Sequence, residues 1–384
     1  MTWHCRICNS IHYRSVLNLG PVPPVNTLHA PDEAITFYPL HLVECWSCGF
    51  WQLEKLPDRN TIFPRQYPYR SRTTKELLTN FKDLHDKVAP TLPESPRILD
   101  IGGNDGSLLR LFKGEKFNVE PTDAGQESTD DAFWIREFWG EHTAKSIGPD
   151  SMDLILCTNV FAHADNLHNL ALGVKLALAP KGLFVLEVQD RNSLVFDTIY
   201  HEHVAYYTDK DIRNLLHLNG LKLIKVEKIP THGGSIRCYA VHRDWTGSPF
   251  EGELQLDAAH KDPYKLQHEV QRQVVDLMRH VELRKFRGQR IWGIGAPSRA
   301  TTLLHYTGLH YHLDGVAEMA DNPKVGLNMP GTRVPVRTDE DMLADRPDAV
   351  VVLSWHLGDG IVKRLKDKGY RGEVIMPLPT LRLL

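Results

Sequence analysis

The chain has 384 residues, more than one ordinary hydrophobic core requires, and this length predicts about two or three domains. A formal net charge of -3 and a pI near 6.7 give no basic field, and no local basic patch indicates a nucleic-acid partner. No apolar run approaches the roughly 20 residues that cross a bilayer, and the amino terminus has no signal-like apolar core. We therefore expect a soluble, cytoplasmic protein with no membrane partner.

Four of the six cysteines form two Cys-x-x-Cys pairs near the amino terminus. Each pair makes a tight knuckle, and two knuckles complete a tetrahedral zinc site. The predicted ligands are Cys5, Cys8, Cys45 and Cys48. Because sulfur fills all four positions, the Zn²⁺ is expected to be structural. Zinc ribbons also bind nucleic acid, but the flanks of this one are not basic.

An aromatic connector and an amphipathic helix follow the zinc module. The connector, Tyr-Pro-Tyr-Arg-Ser at 67–71, is predicted to run extended along the edge of a cleft, although a plain connector with packed aromatics fits equally well. Apolar residues then recur at helical spacing from Leu77 to Val88, which predicts a helix that faces the core.

The clearest indication of the fold is a strand, a glycine-rich turn and a helix in succession. Residues 97–101 are a short apolar strand, the glycine-rich loop 102–106 follows, and 108–112 continue with a helical pattern. A second strand ends at Glu120, where a doubly wound sheet binds ribose hydroxyls. Together with Asp100 before the loop, this pattern predicts a nucleoside cofactor. The acid suits the ammonium of a methyl donor better than a pyrophosphate.

Further elements bring polar groups to the same edge of this sheet. A strand at 152–158 ends at Asn159, a helix is predicted at 167–178, and a turn at 180–182 leads into a strand. Ligand groups in such sheets lie at the carboxyl ends of strands, where His163 is placed. A buried core histidine is the alternative for this residue.

The next elements predict an antiparallel addition to the sheet. Thr208 is a predicted N-cap for a helix that ends at Asn219 and Gly220. Two strands at 221–226 and 235–241 follow, joined by a loop with two glycines. These glycines either leave room for a ligand or only make the turn.

Proton-handling groups are concentrated between 196 and 207. This stretch holds two imidazoles, two carboxylates and several phenols, with Tyr200, His201, Glu202 and His203 consecutive. An extended backbone would put the two histidines on one side, whereas a tight turn would bring all four residues together. Either arrangement allows acid–base chemistry near neutral pH. The alternative, in a chain with 20 histidines, is a polar segment without a catalytic role.

The last part of the chain repeats the strand, glycine turn and helix pattern. Polar, non-periodic residues at 244–263 mark a boundary, and a long helix at 265–287 connects the two halves. A strand then leads to Gly295, and Arg299 follows near a helix start, where it is expected to meet phosphate. Lys324 lies beyond the next strand. A doubly wound domain that binds nothing is the alternative.

With these motifs in place, the chain resembles the sugar-nucleotide C-methyltransferases, the enzymes that build branched deoxysugars such as tetronitrose, mycarose and noviose. The likeness covers nearly the whole length and runs through the paired Cys-x-x-Cys module and segments 67–71, 99–102, 119–121, 159–163, 200–203, 232–237, 295–296 and Trp355. It implies an α/β fold in three parts. These are a zinc-binding domain at 1–70, a central Rossmann-like S-adenosylmethionine methyltransferase domain at 71–245 and, after a linker and long helix at 246–288, a second Rossmann-like domain at 289–384 that helps hold a nucleotide sugar.

The resemblance also implies a reaction and a set of site residues. A base would remove the C3 hydrogen, which is α to the carbonyl of a 4-keto-6-deoxy sugar, and the enolate would attack the methyl group. The expected base is His203, with Tyr200 or His201 donating to the enolate oxygen, Glu202 orienting an imidazole, and Tyr69 and His163 closing the pocket. S-adenosylmethionine is expected at Asp100, Gly102, Asn104, Gly106, Glu120 and Asn159. The sugar nucleotide is expected at Arg237, Gly295, Arg299 and Lys324.

Two other functions stay open from the sequence. A nucleotide-sugar O- or N-methyltransferase would use the same cofactor domain without removing an α-proton. A noncatalytic nucleotide-sugar-binding protein would keep both Rossmann-like domains but has no need of clustered proton carriers. The sugar, its carrier and the oligomeric state are not determined by the sequence.

Overall fold

The computed structural model describes residues 3–30, 33–63, 65, 69–128, 131–250, 252, 254–257 and 261–384. Two residues of the predicted extended connector, Tyr67 and Pro68, lie outside the described residues, as do parts of the predicted boundary at 244–263. Within the described ranges, no helix is both long enough and apolar enough to cross a membrane.

The N-terminal module is an antiparallel sheet built beside the cysteine knuckles. Its elements are β1 (Tyr13–Val22), β2 (Tyr38–Cys45), β3 (Trp51–Leu53) and the one-turn helix α1 (Arg59–Ile62). β2 pairs antiparallel with both β1 and β3. Alternate residues of β1, such as Val22, and of β2, such as Leu40 and Leu42, pack into a core that the module shares with the C-terminal domain.

The central domain is a seven-stranded sheet flanked by helices. In chain order, the elements of this region are α2 (Lys75–Val88), β4 (Arg97–Ile101), β5 (Glu115–Val119), β6 (Ala132–Ile135), α3 (Glu141–Ile147), β7 (Met152–Thr158), α4 (Leu167–Ala177), β8 (Leu178–Gln189), β9 (Ala205–Tyr206), α5 (Asp209–Leu218), β10 (Leu221–Ile229) and β11 (Ser235–His242). The strand order is β10-β11-β8-β7-β4-β5-β6. β11 is antiparallel to both of its neighbours, as predicted for an antiparallel addition, and the other pairs are parallel.

Two predicted elements of this domain are wrong. The helix expected at 108–112 is a single 3₁₀ turn at Leu109–Leu111, because Phe112 is extended and Gly114 has a φ of +102° so soon after the loop. The turn expected at 180–182 lies within β8, and Leu178 starts that strand instead of ending α4. Leu178 pairs with Met152 of β7, and Leu183 pairs with Leu154. A register shift between these two pairs accommodates the extra residues of β8.

The C-terminal domain is a second, mostly parallel sheet behind a long helix. Its elements are α6 (Pro263–Phe286), β12 (Ile291–Ile294), α7 (Ala300–Thr307), β13 (Val316–Glu318), β14 (Val336–Thr338), α8 (Asp339–Asp345), β15 (Ala349–Val352), α9 (Gly358–Asp367), β16 (Glu373–Met376) and β17 (Arg382–Leu383). The order β14-β13-β12-β15-β16-β17 is parallel except for β17. Chain order reverses beside β12, and in such sheets ligands bind at that switch point.

Residues 196–207 run between the three parts of the chain. β9, although it follows the central strands, leaves the central sheet and pairs with β3 of the N-terminal module. The 3₁₀ turn Phe196–Thr198 packs against α7 of the C-terminal domain. The hydroxyl of Thr302 also donates to the carbonyl of Ile199 at 2.7 Å. The segment with the predicted catalytic residues is therefore held from both sides.

The start of α5 provides a test of this local structure. Thr208 and Asp211 form the predicted cap as a reciprocal capping box, with the Thr208 N–H 2.8 Å from the Asp211 carboxylate. We expect Thr208→Ala to lower the free energy of unfolding by about 1 kcal/mol in urea denaturation, because an orphan helix N–H loses its acceptor. Thr208→Ser, which keeps the oxygen, should cost less. Equal stability of the alanine variant and the wild type would contradict a contribution from the cap.

Candidate active site

The four cysteines of the N-terminal knuckles converge on one point. All four sulfur atoms lie within 4.8 Å of one another, and the pairs Cys5–Cys48 and Cys8–Cys45 are each 3.5 Å apart. Tetrahedral ligands at Zn–S distances of about 2.3 Å would be about 3.8 Å apart, so the cluster fits Zn²⁺. An all-sulfur set leaves no position for substrate, and the ion therefore stabilises the fold.

The loop after β4 lets a ligand approach the backbone closely. Gly102 has a φ of +65°, and a Cβ on Gly103 would lie 2.5 Å from Asn118 Oδ1 and 2.9 Å from Asp100 Oδ2. Asp100 Oδ1 and Asn118 Oδ1 are buried without a hydrogen-bond partner in the described part of the chain. Burial, followed by the charges of Glu120 and Glu187, raises the pKa of Asp100 to about 8. An ammonium group would favour the ionised carboxylate, so this site fits the amino-acid end of S-adenosylmethionine.

The other predicted cofactor residues surround this loop. The Asn104 N–H donates to Glu120 Oε2 at 3.1 Å, and the Asn104 side chain binds the backbone of Tyr69 and of Ser71. Glu120 Oε1 also accepts from the Thr122 hydroxyl at 2.6 Å. Thus the structure brings Asp100, Gly102, Asn104 and Glu120 together and places Tyr69 beside the cofactor loop.

Gly106 and Asn159 complete the set on opposite sides of the loop. Gly106, at a φ of +72°, packs against Ser128 on the outer side. Asn159, at a φ of +59°, follows β7, and its neighbour Val160 faces Gly102.

A cavity of about 310 Å³ opens beside this loop. Pro121 and Thr122 after β5, Arg136 and Phe138 after β6, and Asn60 of the N-terminal module contribute to its walls. It adjoins Glu120, the acid predicted to bind the ribose. The N-terminal module therefore forms part of the wall of this cavity.

His203 and Tyr200 form the centre of the predicted catalytic group. A tight turn, with the His203 N–H on the Tyr200 carbonyl at 2.9 Å, brings the two side chains together. His203 Nδ1 lies 3.2 Å from the Thr198 carbonyl, which only accepts, so Nδ1 carries the proton. Nε2 then accepts from the Tyr200 hydroxyl at 2.9 Å. In the neutral imidazole, this arrangement leaves Nε2 as the basic atom.

His163 lies against His203. The two ring centroids are 5.2 Å apart, and His163 Nδ1 donates to the Glu202 carbonyl at 2.5 Å. Burial, together with the charges of His163, His232 and Arg299, holds the pKa of His203 well below its usual value. Burial also lowers the pKa of His163. Both rings are therefore neutral near pH 7, as a base in its ready state must be.

The same turn directs His201 and Glu202 away from His203. His201 is buried against the N-terminal module, with Nε2 3.3 Å from the Pro39 carbonyl. Both carboxylate oxygens of Glu202 are buried with no partner in the described residues, and burial raises its pKa to about 7. The expectation that the Glu202 carboxylate orients an imidazole is not met, since only its carbonyl does so, toward His163. Of the two residues predicted to donate to an enolate, Tyr200 contacts His203, whereas His201 contacts the N-terminal module.

Arg237 does not face a substrate site. Its side chain is fully buried, and its guanidinium binds Glu187 at 2.6 Å, Asp83 at 2.7 Å and the Asn80 side chain at 2.9 Å. All of these partners belong to β8 and α2, so Arg237 joins a helix to the sheet. Its predicted role in substrate binding is corrected to a structural one.

Arg299 also differs from the prediction that it meets phosphate. Its Nε and Nη2 atoms each lie 2.8 Å from the Asp197 carboxylate, and the guanidinium stacks 4.4 Å from the ring centroid of Trp355. The sequence pattern located Arg299 near a helix start but could not reveal a carboxylate that lies 102 positions away. Two of its three guanidinium nitrogens, Nε and Nη2, thus bind a carboxylate of the protein itself.

Gly295 and Lys324 lie together at the switch point of the second sheet. Gly295 has a φ of +82°, and a Cβ there would lie 2.3 Å from Ser354 Oγ. Lys324 Nζ donates to the Ala296 carbonyl at 2.5 Å, and the Ala296 N–H donates to Glu318 Oε1 at 2.6 Å. Glu318, at the end of β13, corresponds in position to the acid that binds ribose in doubly wound sheets, and the sequence analysis did not assign it to the site.

Two more histidines near Arg299 were not assigned to the site by the sequence analysis. His232, in a left-handed conformation between β10 and β11, and His356, after Trp355, are both exposed. Surrounding protein and the charge of Arg299 lower the pKa of each to about 4. The paired glycines after His232 were the available signal for the first, and the neighbouring Trp355, at the start of the 3₁₀ turn Trp355–Leu357, was the signal for the second.

The fold and this site define a methyltransferase that uses S-adenosylmethionine and carries a structural zinc module. Three family models match consecutive parts of the chain. They describe a zinc binding domain at residues 5–63, a methyltransferase domain at 69–226 and a C-methyltransferase C-terminal domain at 230–379. The chain is 27% identical over 414 aligned positions to the C-methyltransferase NovU of Streptomyces niveus, across 99% of this chain and 96% of that protein. These matches support the sugar C-methyltransferase family expected from the sequence, and they agree with the expected fold class and cofactors.

Solved methyltransferases resemble part of this chain only distantly. The 1,6-didemethyltoxoflavin-N1-methyltransferase of Burkholderia thailandensis is 14% identical, with a TM-score of 0.39, over 52% of this chain and 99% of that one. Magnesium protoporphyrin IX methyltransferase of Synechocystis PCC 6803 is 15% identical, with a TM-score of 0.33, over 44% of this chain and 80% of that one. With TM-scores below 0.5, neither protein informs the site of this chain.

The zinc site predicts a metal-dependent fold. We expect one Zn²⁺ per chain by elemental mass spectrometry, and loss of that zinc with a lower melting temperature in Cys48→Ser, because three sulfurs hold the ion less well than four. Cys157→Ser, at a buried cysteine outside the cluster, is the matched control and should retain zinc. Full zinc content in Cys48→Ser would argue against the four-sulfur site.

The cofactor loop predicts a steric effect. Gly103→Ala should weaken S-adenosylmethionine binding at least about tenfold in calorimetry, because the new methyl group would enter the cradle between Asn118 and Asp100. Gly360→Ala, at a position with nothing within 4 Å, is the control and should bind normally. Unchanged affinity in Gly103→Ala would place the cofactor elsewhere.

Proposed function

We propose that this enzyme methylates carbon, specifically C3, of a nucleotide-linked 4-keto-6-deoxy sugar through an enolate. The observation that carries this proposal is the His203 and Tyr200 pair, with a neutral imidazole whose basic Nε2 lies 2.9 Å from a phenol. Transfer to carbon needs a base to create the nucleophile, and a keto group makes the neighbouring hydrogen acidic enough to remove. The family's C-methyltransferase description agrees with this requirement.

The proposed steps assign one role to each side chain. His203 Nε2 takes the proton from C3, and the electron pair of that C–H bond becomes the enolate. The Tyr200 hydroxyl, which Nε2 releases on protonation, donates to the enolate oxygen and stabilises its charge. S-adenosylmethionine, when bound, supplies the methyl group as an electrophile. The ketone re-forms as C3 gains the methyl group, and His203 returns its proton to solvent.

His163 and Tyr69 are proposed to shape the pocket. His163 stacks beside His203, and Phe63 of the N-terminal module packs edge-on against it at 5.3 Å. The backbone of Tyr69 is tied to Asn104 of the cofactor loop. These contacts set the wall between cofactor and substrate, where excluding water protects the enolate.

The cleft between the two Rossmann-like domains is the proposed site of the nucleotide diphosphate. His232, His356 and Lys324 face this region, and Gly295 and Glu318 lie at the switch point, where a nucleoside would bind. We propose that the domains have the predicted limits, 1–70, 71–245, 246–288 and 289–384. A cytoplasmic location and the absence of a nucleic-acid partner stay predictions.

Deuterium exchange tests the enolate directly. The enzyme is incubated in heavy water with 4-keto-6-deoxy sugar nucleotides and S-adenosylhomocysteine, and the products are analysed by mass spectrometry and NMR. We expect deuterium at C3. When S-adenosylmethionine replaces S-adenosylhomocysteine, we expect a new methyl group on C3. Methylation on oxygen or nitrogen without exchange would instead indicate an O- or N-methyltransferase. Neither methylation nor exchange, despite saturable sugar-nucleotide binding, would indicate a noncatalytic binding protein.

His203→Asn provides the matching variant. It should lose both C3 exchange and methylation by at least about 10²-fold, because the base is removed, while its affinity for S-adenosylmethionine stays unchanged. His201→Asn, at the buried neighbour that faces the N-terminal module, is the control for a general effect of losing an imidazole in this segment. Wild-type exchange in His203→Asn would remove His203 from this role.

A further inference from the structure

Asp197 is a buried carboxylate whose side-chain contacts, among the described residues, come from the second Rossmann-like domain. Its side chain is 0% exposed. Arg299 donates to both of its oxygens at 2.8 Å, and Trp355 Nε1 donates to Oδ2 at 2.7 Å. Arg299 also stacks on the Trp355 ring, so the two donors support each other.

The turn that contains Asp197 also carries the acceptor of the His203 proton. Asp197 is the middle residue of the 3₁₀ turn Phe196–Thr198, and the Thr198 carbonyl accepts from His203 Nδ1. On the other side of Thr198, the carbonyl of Ile199 is held by Thr302 of α7. The C-terminal domain therefore holds the chain on both sides of the carbonyl that sets the tautomer of His203.

We propose that Arg299 and Trp355 are positioning residues that, through Asp197 and the Thr198 carbonyl, keep His203 in the tautomer with a basic Nε2. The second Rossmann-like domain would thus assemble the base as well as hold the substrate. The part of this inference that concerns reaction rate rests on the proposed function, whereas the part that concerns the tautomer does not. Arg299 thus has a positioning role instead of the predicted phosphate binding.

The charges around His203 predict pKa shifts of opposite direction for this histidine in two variants. The charged or titratable groups that face it are Arg299, His163, His232, Tyr200 and Tyr206, and Asp197 offsets the charge of Arg299. Asp197→Asn leaves the arginine uncompensated and should lower the pKa of His203. Arg299→Gln removes a cation and should raise it. Because the base must be unprotonated, the acid limb of the rate profile should move to lower pH in the first variant and to higher pH in the second.

Kinetics form the first test. In Asp197→Asn, Arg299→Gln and Trp355→Phe we expect kcat to fall about 10- to 100-fold, the range typical of partners that orient a reactive group, with an unchanged KM for S-adenosylmethionine. Trp355→Phe keeps the charges and should not move the acid limb. Arg284→Gln removes an arginine of the same domain that pairs with Glu373, and serves as the control for lost stability. Shifts of the same sign in the Asp197 and Arg299 variants would overturn the proposal.

Nitrogen NMR tests the positioning without any substrate. In ¹⁵N-histidine-labelled protein, the His203 ring signals are assigned by their loss in His203→Gln. The wild type should show the tautomer protonated at Nδ1, and Asp197→Asn and Trp355→Phe should shift the population toward the other tautomer. Unchanged His203 signals in both variants would overturn the proposal whatever the activity. Absence of C3 exchange in the wild type, with the expected NMR changes, would remove the proposed reaction and leave the positioning supported.

Discussion

The ion pair between Asp197 and Arg299 joins the two Rossmann-like domains, and the geometry of the candidate site depends on it. Burying two charges costs more than a single attraction returns unless the remaining hydrogen-bonding capacity is filled. Here the pairing is bidentate, and Trp355 adds an indole donor and a stacking surface. Such a pair tolerates little displacement of one domain against the other. This rigidity suits a site whose base belongs to one domain and whose anchoring groups belong to the other.

The environment that keeps His203 neutral also makes it a weak base. Burial and nearby cations lower its pKa, which guarantees an unprotonated Nε2 but weakens that atom as an acceptor for a carbon-bound proton. The proposed substrate offsets this effect, because an anionic diphosphate in the cleft cancels part of the field of Arg299 and raises the pKa of His203. The base would then gain strength only when substrate fills the cleft.

Local patterns predicted the elements well, whereas contacts distant in sequence decided the site. The strands at Arg97–Ile101 and Met152–Thr158 and the Thr208 cap depend on neighbouring residues and agree with the structure. The cysteine cluster joins pairs about 40 residues apart, but the spacing within each Cys-x-x-Cys pair was enough to predict it. Arg237 and Arg299 were assigned to a ligand because their carboxylate partners, distant in sequence, are invisible to pattern analysis. Two geometries were predicted for the 200–203 segment, an extended strand and a tight turn. The structure has the turn, which brings Tyr200 to His203. The two residues between them point away from His203, because His201 packs against the N-terminal module.

That packing extends the influence of the zinc site into the active site. The four cysteines stabilise a small module that lacks a large core of its own, and its strand β3 pairs with β9 immediately after His203. The same module contributes Asn60 to the cavity beside Glu120 and packs Phe63 against His163. The four-cysteine site has no open coordination position, but the segment with the proposed base lies between the zinc module on one side and the Asp197 pair on the other. Loss of either anchor leaves His203 supported from one side only.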